Sequence, residues 1–364
     1  MSHPLVIVGY GTMGDYHRRN LATIDGFEVV GVVDIDEQAR AAAQDEGVHA
    51  YASLPEAIAE LEFDFVMIAT PNDSHHDLAM TALAAGKNVL CEKPAMVTSL
   101  ELVEVIAAAE QAGKLFMVHQ NRRWDPDYLS MKAVYDEATI GPVTYVETRV
   151  HGSRGIPSDW RTKKENGGGM LLDWGVHLVD RLLLMVDAPV TDVYANLSYA
   201  LGQEVDDGFK AYLTFGNGVT ALVDVSTTSF QPMPLWSLQA NRGSARIENW
   251  ATPGRILRLG VVEEDDAAPI QAGAGMTKTM APRVKDYSNS YKLDESLEDL
   301  PVPVVEADVR DFYRNALAVV DAGAEPVITN AQVLRTMRLL EACVQSHELR
   351  EVVHFEPAAS LQTA

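Results

Sequence analysis

The segment Leu5-Val6-Ile7-Val8-Gly9-Tyr10-Gly11-Thr12-Met13-Gly14 constrains this chain more than any other. An apolar run stops at a glycine, and a G-x-G-x-x-G spacing leads straight into a helix-compatible stretch. The spacing alone is a weak signal. Between a strand and a helix it describes the turn that holds a dinucleotide pyrophosphate. Gly9 permits the tight turn, Gly11 leaves room for the phosphates, and Gly14 lets the helix pack closely on the sheet. Thr12 and Met13 open that helix, whose free N–H groups and positive end face the phosphates. A second apolar run, Phe27 to Val33, ends at Asp34, twenty residues beyond Gly14. A carboxylate there accepts the adenosine ribose hydroxyls and repels a 2′-phosphate. Ile35 and Asp36 bring no arginine to balance such a phosphate, so NAD rather than NADP is the expected cofactor.

The rhythm that begins here continues to about residue 120. Short apolar runs at Phe63–Ala69, Lys87–Cys91 and Leu115–His119 alternate with helical stretches, among them His75–Ala85 and Ser99–Ala112. That alternation predicts crossovers and a parallel sheet. The pattern changes near Asn121. A helix over Pro126–Asp136 is followed mainly by strands: Val143–His151, Val190–Leu201, Phe209–Phe215, Val219–Thr227, Leu235–Asn241 and Ser244–Asn249. Glycine turns such as Phe215-Gly216-Asn217-Gly218 predict an antiparallel or mixed sheet. A helix interrupts it at Leu171–Met185, two more lie near 305–322 and 330–346, and residues 251–300 read as irregular. The expectation is an α/β chain with a Rossmann domain over 1–121 and a substrate and assembly domain over 122–364.

Charge excludes some partners. With 52 Asp and Glu against 29 Lys and Arg, the formal charge of the 364 residues is −23. Such a surface argues against nucleic acid and anionic membranes. No 18-residue apolar stretch occurs, and the start of the chain lacks the basic and apolar regions of an export signal. Two cysteines, Cys91 and Cys343, are too few for a disulfide framework. A cytoplasmic protein is expected.

Residues at strand carboxyl ends are the candidates for function, since that edge of a parallel sheet faces the ligand crevice. Thr70, Pro71 and Asn72 leave one strand, with His75 opening the next helix, and all four are candidates to line the cofactor cleft. Glu92-Lys93-Pro94 follows another strand. Lys93 there can hydrogen-bond a reacting oxygen, and Glu92 can receive a cofactor hydroxyl or restrain Lys93. Downstream, Gly167-Gly168-Gly169 precedes a helix carrying Asp173 and His177, four apart and so on one face. Alcohol oxidation needs a base, and histidine exchanges protons near neutral pH. His177 is that base, and Asp173 orients it, raises its pKa or binds substrate. The same two side chains find no third ligand nearby, so no metal is expected.

Taken in order, these motifs resemble the glucose–fructose oxidoreductase, inositol dehydrogenase and rhizopine-catabolism (Gfo/Idh/MocA) family. The resemblance spans nearly the whole chain, including Asn121-Arg122-Arg123-Trp124-Asp125-Pro126 at the domain junction. It implies a second domain built on a large, predominantly antiparallel sheet, through which members form homodimers or homotetramers. It also implies that Lys93, Asp173 and His177 form the catalytic group. Hydride would pass between nicotinamide and a ring carbon of a sugar, cyclitol or derivative. Arg122, Arg154, Trp160 and Arg161 are the further substrate-binding candidates, with Asp159 beside them. Two alternatives stay open: an NAD-assisted lyase or glycosidase working through transient oxidation, and a nonenzymatic NAD sensor.

Overall fold

The computed structural model describes residues 2–251, 253–260, 269–277, 284–286, 292–293 and 295–356. The first sheet contains β1 (His3–Val8), β2 (Phe27–Val33), β3 (His49–Tyr51), β4 (Phe65–Ile68), β5 (Asn88–Cys91) and β6 (Phe116–Val118). Their order is β3-β2-β1-β4-β5-β6, and every pair is parallel. Helices α1 (Thr12–Leu21), α2 (Glu37–Asp45), α3 (Leu54–Glu60), α4 (His75–Ala84) and α5 (Ser99–Ala112) make the crossovers. Burial on both faces explains why β1, β4 and β5 are nearly unbroken apolar runs. The strand order reverses between β1 and β4, which places a crevice at their carboxyl ends. Local chemistry fixes the helix starts. Ser53 accepts the Glu56 N–H, and Thr98 with Glu101 forms a reciprocal cap on α5.

The second sheet follows α6 (Pro126–Asp136). It contains β7 (Val143–His151), β8 (Val190–Ser198), β9 (Gly208–Phe215), β10 (Thr220–Ser226), β11 (Trp236–Ala240), β12 (Gly243–Ile247), β13 (Arg255–Leu259), β14 (Leu297–Pro301) and β15 (Val353–His354). The order is β14-β13-β12-β11-β7-β10-β9-β8-β15, antiparallel throughout except for the parallel pair β7–β10. One face is apolar and carries α7 (Val176–Met185) and α9 (Asn330–Leu349). Val193, Ala195, Phe209, Ala211, Leu213, Ala221 and Val223 alternate inward, as a half-buried sheet requires. The opposite face bears Tyr145, Tyr194 and Tyr212, with the Tyr145 and Tyr212 rings 6.4 Å apart.

The expectation of an irregular 251–300 segment needs correcting. Arg255–Leu259 and Leu297–Pro301 pair with each other and extend the large sheet, and among the described residues between them two short antiparallel strand pairs form, while residues 252, 261–268, 278–283, 287–291 and 294 lie outside the described residues. Alternation in these strands is masked by charged pairs such as Arg255–Asp299 and Arg258–Glu298. Helix α8 (Asp311–Ala322) returns to the first domain, where Phe312 and Tyr313 are fully buried. Among the described residues, no helix is long and apolar enough to cross a membrane.

Candidate active site

A cleft of about 1290 Å³ runs along the carboxyl ends of β1, β2, β4 and β5 and continues to α7. It exceeds the ~300–1,000 Å³ usual for one small ligand. At its first end, Gly9 has φ +88°, a left-handed conformation that favours glycine. A Cβ on Gly14 would lie 2.0 Å from the Gly9 carbonyl oxygen, whereas one on Gly11 would meet no protein atom within 4 Å. The turn is therefore tight on its protein side and open at Gly11 on the cleft side. Thr12 and Met13 line the cleft at the start of α1.

Asp34 lines the same end. Its Oδ2 accepts the Tyr10 N–H at 2.7 Å and its Oδ1 the Asp36 N–H at 2.8 Å. These bonds leave each carboxylate oxygen further lone pairs for ribose hydroxyls. Ile35, 93% exposed, adds an apolar surface beside it. Arg40 was not foreseen: its guanidinium donates to the carbonyls of Asp34 and Ile35 at 2.8 and 3.0 Å. It lies six residues beyond the carboxylate, past the Ile35-Asp36 positions next to it. The glycine turn, the helix end and the carboxylate fit a dinucleotide. Asp34→Ala should raise the NAD Kd about tenfold, the loss of a charge-assisted hydrogen bond or two. Discrimination against NADP should fall with it, and parallel titrations with both nucleotides check this.

Thr70, Pro71 and Asn72 also line the cleft. Asn72 is buried and donates to the Gly167 carbonyl at 2.8 Å, tying the first domain to the glycine-rich segment of the second. His75 is a correction. It is wholly buried and absent from the cleft wall, with its ring nitrogens on the Pro94 and Thr70 carbonyls at 2.9 and 3.0 Å. The first turn of α4 points it under the Lys93-Pro94 turn, whose peptide bond is cis.

The far end brings Lys93, Asp173 and His177 together. Lys93 follows β5, while Asp173 lies in a wide π-type turn, Leu171–Gly175, that leads into α7. Lys93 Nζ donates to Asp173 Oδ1 at 2.9 Å and to the Asp173 carbonyl at 3.0 Å. Arg161 Nε is 3.6 Å from the other carboxylate oxygen. Burial alone would raise Asp173, but Lys93 and Arg161 outweigh it and hold the carboxyl below its usual range. Asp173 is thus committed to the two cations, and no hydrogen bond to His177 is seen among the described residues.

His177 lines the cleft one turn further on, 4% exposed, with Nδ1 lacking a hydrogen-bond partner. Burial pushes its pKa well below the usual histidine value, and Lys93, Arg122 and Arg181 push the same way against Glu92. The expectation that Asp173 raises this pKa is therefore corrected. The ring is neutral at neutral pH and able to accept a proton.

The arginines of the junction divide. Arg122 lines the cleft, 4.3 Å above the Trp174 ring, and pairs with Asp125 at 2.9 Å. Arg123 is buried in a two-pronged pair with Asp180, at 2.8 and 2.7 Å. Trp160, Arg161 and Asp159 line the rim, with Arg161 over the Trp160 ring at 4.5 Å and bonded to Asp159 at 2.8 Å. Arg154 is a second correction: it is exposed and lies outside the cleft wall, because the 152–155 bend turns it to solvent.

Sequence reasoning missed Trp174, whose ring packs edge-on to His177 with the ring centres 6.0 Å apart. It also missed Asp206, which accepts the Leu171 N–H at 2.9 Å and so anchors the start of the Leu171–Gly175 turn. Burial pushes Asp206 up to about 7. Glu92 lines the cleft, but its carboxylate turns inward to His17 and His119, the one His and acidic group within metal-ligand reach among the described residues. The contacts, 2.9 and 2.8 Å, have hydrogen-bond lengths.

A 3-2-1-4-5-6 parallel sheet, a glycine turn closed by Asp34 and a Lys–Asp–His group facing it define a dinucleotide-dependent oxidoreductase. The comparisons with known proteins agree. Residues 4–120 match the oxidoreductase family with an NAD-binding Rossmann fold, and residues 128–246 match the GFO/IDH/MocA C-terminal domain. The chain belongs to the Gfo/Idh/MocA oxidoreductase family and is an NAD-dependent oxidoreductase. A solved NAD-binding protein from Listeria innocua is 44% identical, with a TM-score of 0.91 over 97% of this chain and 99% of that one. The scyllo-inositol 2-dehydrogenase (NADP(+)) of Bacillus subtilis is 25% identical over 96% of this chain and 95% of its own. The D-apiose dehydrogenase of Paraburkholderia graminis is 27% identical over 92% and 85%.

Proposed function

We propose that this chain is a sugar or cyclitol dehydrogenase that oxidises a hydroxyl-bearing ring carbon with NAD. The observation that carries the reading is the Lys93–Asp173 pair, joined at 2.9 Å, with His177 lining the same cleft. The chemistry NAD supplies when bound is hydride acceptance. Gly9, Gly11, Thr12, Met13 and Asp34 would hold its phosphates and adenosine ribose, and Thr70, Pro71, Asn72 and Lys93 would flank it farther in.

Lys93 donates to the substrate oxygen and lowers the cost of its developing negative charge. His177, kept neutral, takes the hydroxyl proton as the carbinol carbon is oxidised, and returns it in the reverse direction. Asp173 holds the Lys93 ammonium in place. Each cleft cation among Lys93, Arg122 and Arg161 already has a carboxylate partner, which favours a neutral polyol over an anionic substrate. Trp160 and Trp174 offer faces for sugar C–H groups. Incubation with NAD and a panel of inositols and aldoses should give NADH and the matching ketone or lactone. Product release without net NADH would favour the transient-oxidation lyase, and NAD binding with no turnover the sensor.

The same reading takes 1–121 and 122–364 as the functional division and places the enzyme in the cytoplasm. It also takes the tyrosine-bearing face of the large sheet as a contact between copies, since Tyr194 and Tyr212 are 48% and 44% exposed there. Light scattering should give a homodimer or homotetramer, and Tyr212→Glu should lower the mass. A monomeric wild type would contradict the assembly.

A further inference from the structure

Behind Glu92 on the cleft wall lie buried side chains that the reaction above does not use. His17 in α1 and His119 after β6 are fully buried, and Glu92 is 5% exposed. Glu92 Oε1 lies 2.9 Å from His17 Nε2 and 2.8 Å from His119 Nδ1. Its second oxygen accepts the Lys93 backbone N–H at 3.0 Å. His17 Nδ1 lies 2.6 Å from the Tyr313 hydroxyl, contributed by α8.

Hydrogen-bond chemistry fixes the protons. A carboxylate only accepts, so both ring nitrogens that face it must donate. His17 then receives the Tyr313 O–H at Nδ1 and remains neutral, consistent with burial, which pushes its pKa down. Burial alone would raise Glu92, but His119 and His17 outweigh it and hold the carboxyl well below its usual range. The result is a buried negative charge at the Lys93-Pro94 turn. Tyr16, His75 and Cys91 are the other titratable groups whose fields it enters. His177 feels it too, against Lys93, Arg122 and Arg181.

We propose that Glu92 is a positioning residue for the reaction: clamped by His17 and His119, it fixes the backbone of Lys93 and supplies negative potential to His177. Tyr313 extends the clamp to α8, so the Lys93-Pro94 turn is braced by three separated parts of the chain. The inference rests on the roles given above to Lys93 and His177, and its test separates the two.

The test compares wild type, Glu92→Gln, Glu92→Asp and Tyr313→Phe. In NAD-free protein, an imidazole NMR titration should show His177 protonating at lower pH in Glu92→Gln than in wild type, since a neighbouring negative charge is gone. Glu92→Asp, which keeps the charge, should leave that midpoint close to wild type. With the polyol that yields NADH, kcat of Glu92→Gln should fall about 10–100-fold, the cost of a misplaced catalytic group. Both KM values should stay within about threefold, and the acid limb should move down in pH with the NMR midpoint.

An unmoved His177 midpoint in Glu92→Gln overturns the proposal. So does a loss of kcat shared equally by Gln and Asp with the acid limb unmoved, which marks packing alone. If Glu92→Gln does not fold, Tyr313→Phe decides: a kcat lowered about threefold or more supports the clamp, and an unchanged kcat overturns it. Wild-type protein that oxidises no polyol refutes the dehydrogenase reading, while the NMR titration still decides the placement of Glu92.

Discussion

Replacing His177 with alanine should lower kcat by about 10²–10⁴-fold and leave the NAD Kd within about threefold, because it removes the base proposed for the reaction and none of the residues proposed to hold the dinucleotide. Stopped-flow turnover and fluorescence binding separate these quantities. The asymmetry follows from location: His177 lies at the α7 end of the cleft, far along the wall from Gly11 and Asp34. The pH dependence has a definite sign. The active ring is neutral, and its pKa is held well below 6.5 by burial and by Lys93, Arg122 and Arg181. Wild-type activity should therefore be flat through neutral pH and fall only in acid, as the ring is protonated. Stability follows the same sense. The unfolded chain binds this proton more readily than the fold does, so the His177 contribution diminishes as pH falls below about 6.5.

The second large effect comes from the glycine turn. Gly14→Ala places a Cβ 2.0 Å from the backbone oxygen of Gly9, and neither atom belongs to a flexible side chain. The turn must open, at a cost of about 1–3 kcal/mol in stability. The α1 N-terminus then shifts away from the phosphates, and the NAD Kd should rise about 100-fold or more, roughly 2.7 kcal/mol. Gly11→Ala is the informative partner. Its Cβ meets no protein atom within 4 Å, so the fold should melt like wild type while NAD affinity still falls. Equal melting temperatures for both variants would contradict this division, and calorimetry with and without NAD measures it.

The first domain was legible because its signals are local. The strand, the glycine turn and Asp34 lie within one βαβ unit, and the parallel sheet follows from the alternation of runs and helices. Lys93, Asp173 and His177 were legible as residue types at strand and helix ends. Their meeting depends on two domains closing over one cleft, and the role of Asp173 came out differently: it holds Lys93 rather than tuning His177. His75 shows the limit of such reasoning. Its place after a strand's carboxyl end was right for the cleft, but the first turn of α4 rotates the ring beneath Pro94. The Glu92 clamp joins residues 75, 27 and 296 positions apart, a separation that carries no periodic or spacing signal. Asp206 is similar, since only the folded loop brings it to the Leu171 amide.

The central claim is that a neutral polyol is oxidised in this cleft with His177 as its base and NAD as stoichiometric oxidant. The direct measurement is NADH fluorescence during incubation of wild type and His177→Ala with NAD and the polyol panel, with product identified by mass. Wild type should yield one NADH per oxidised ring hydroxyl on at least one polyol, and His177→Ala a rate about 10²–10⁴-fold lower. Product without net NADH, or equal rates for the two proteins, would contradict it.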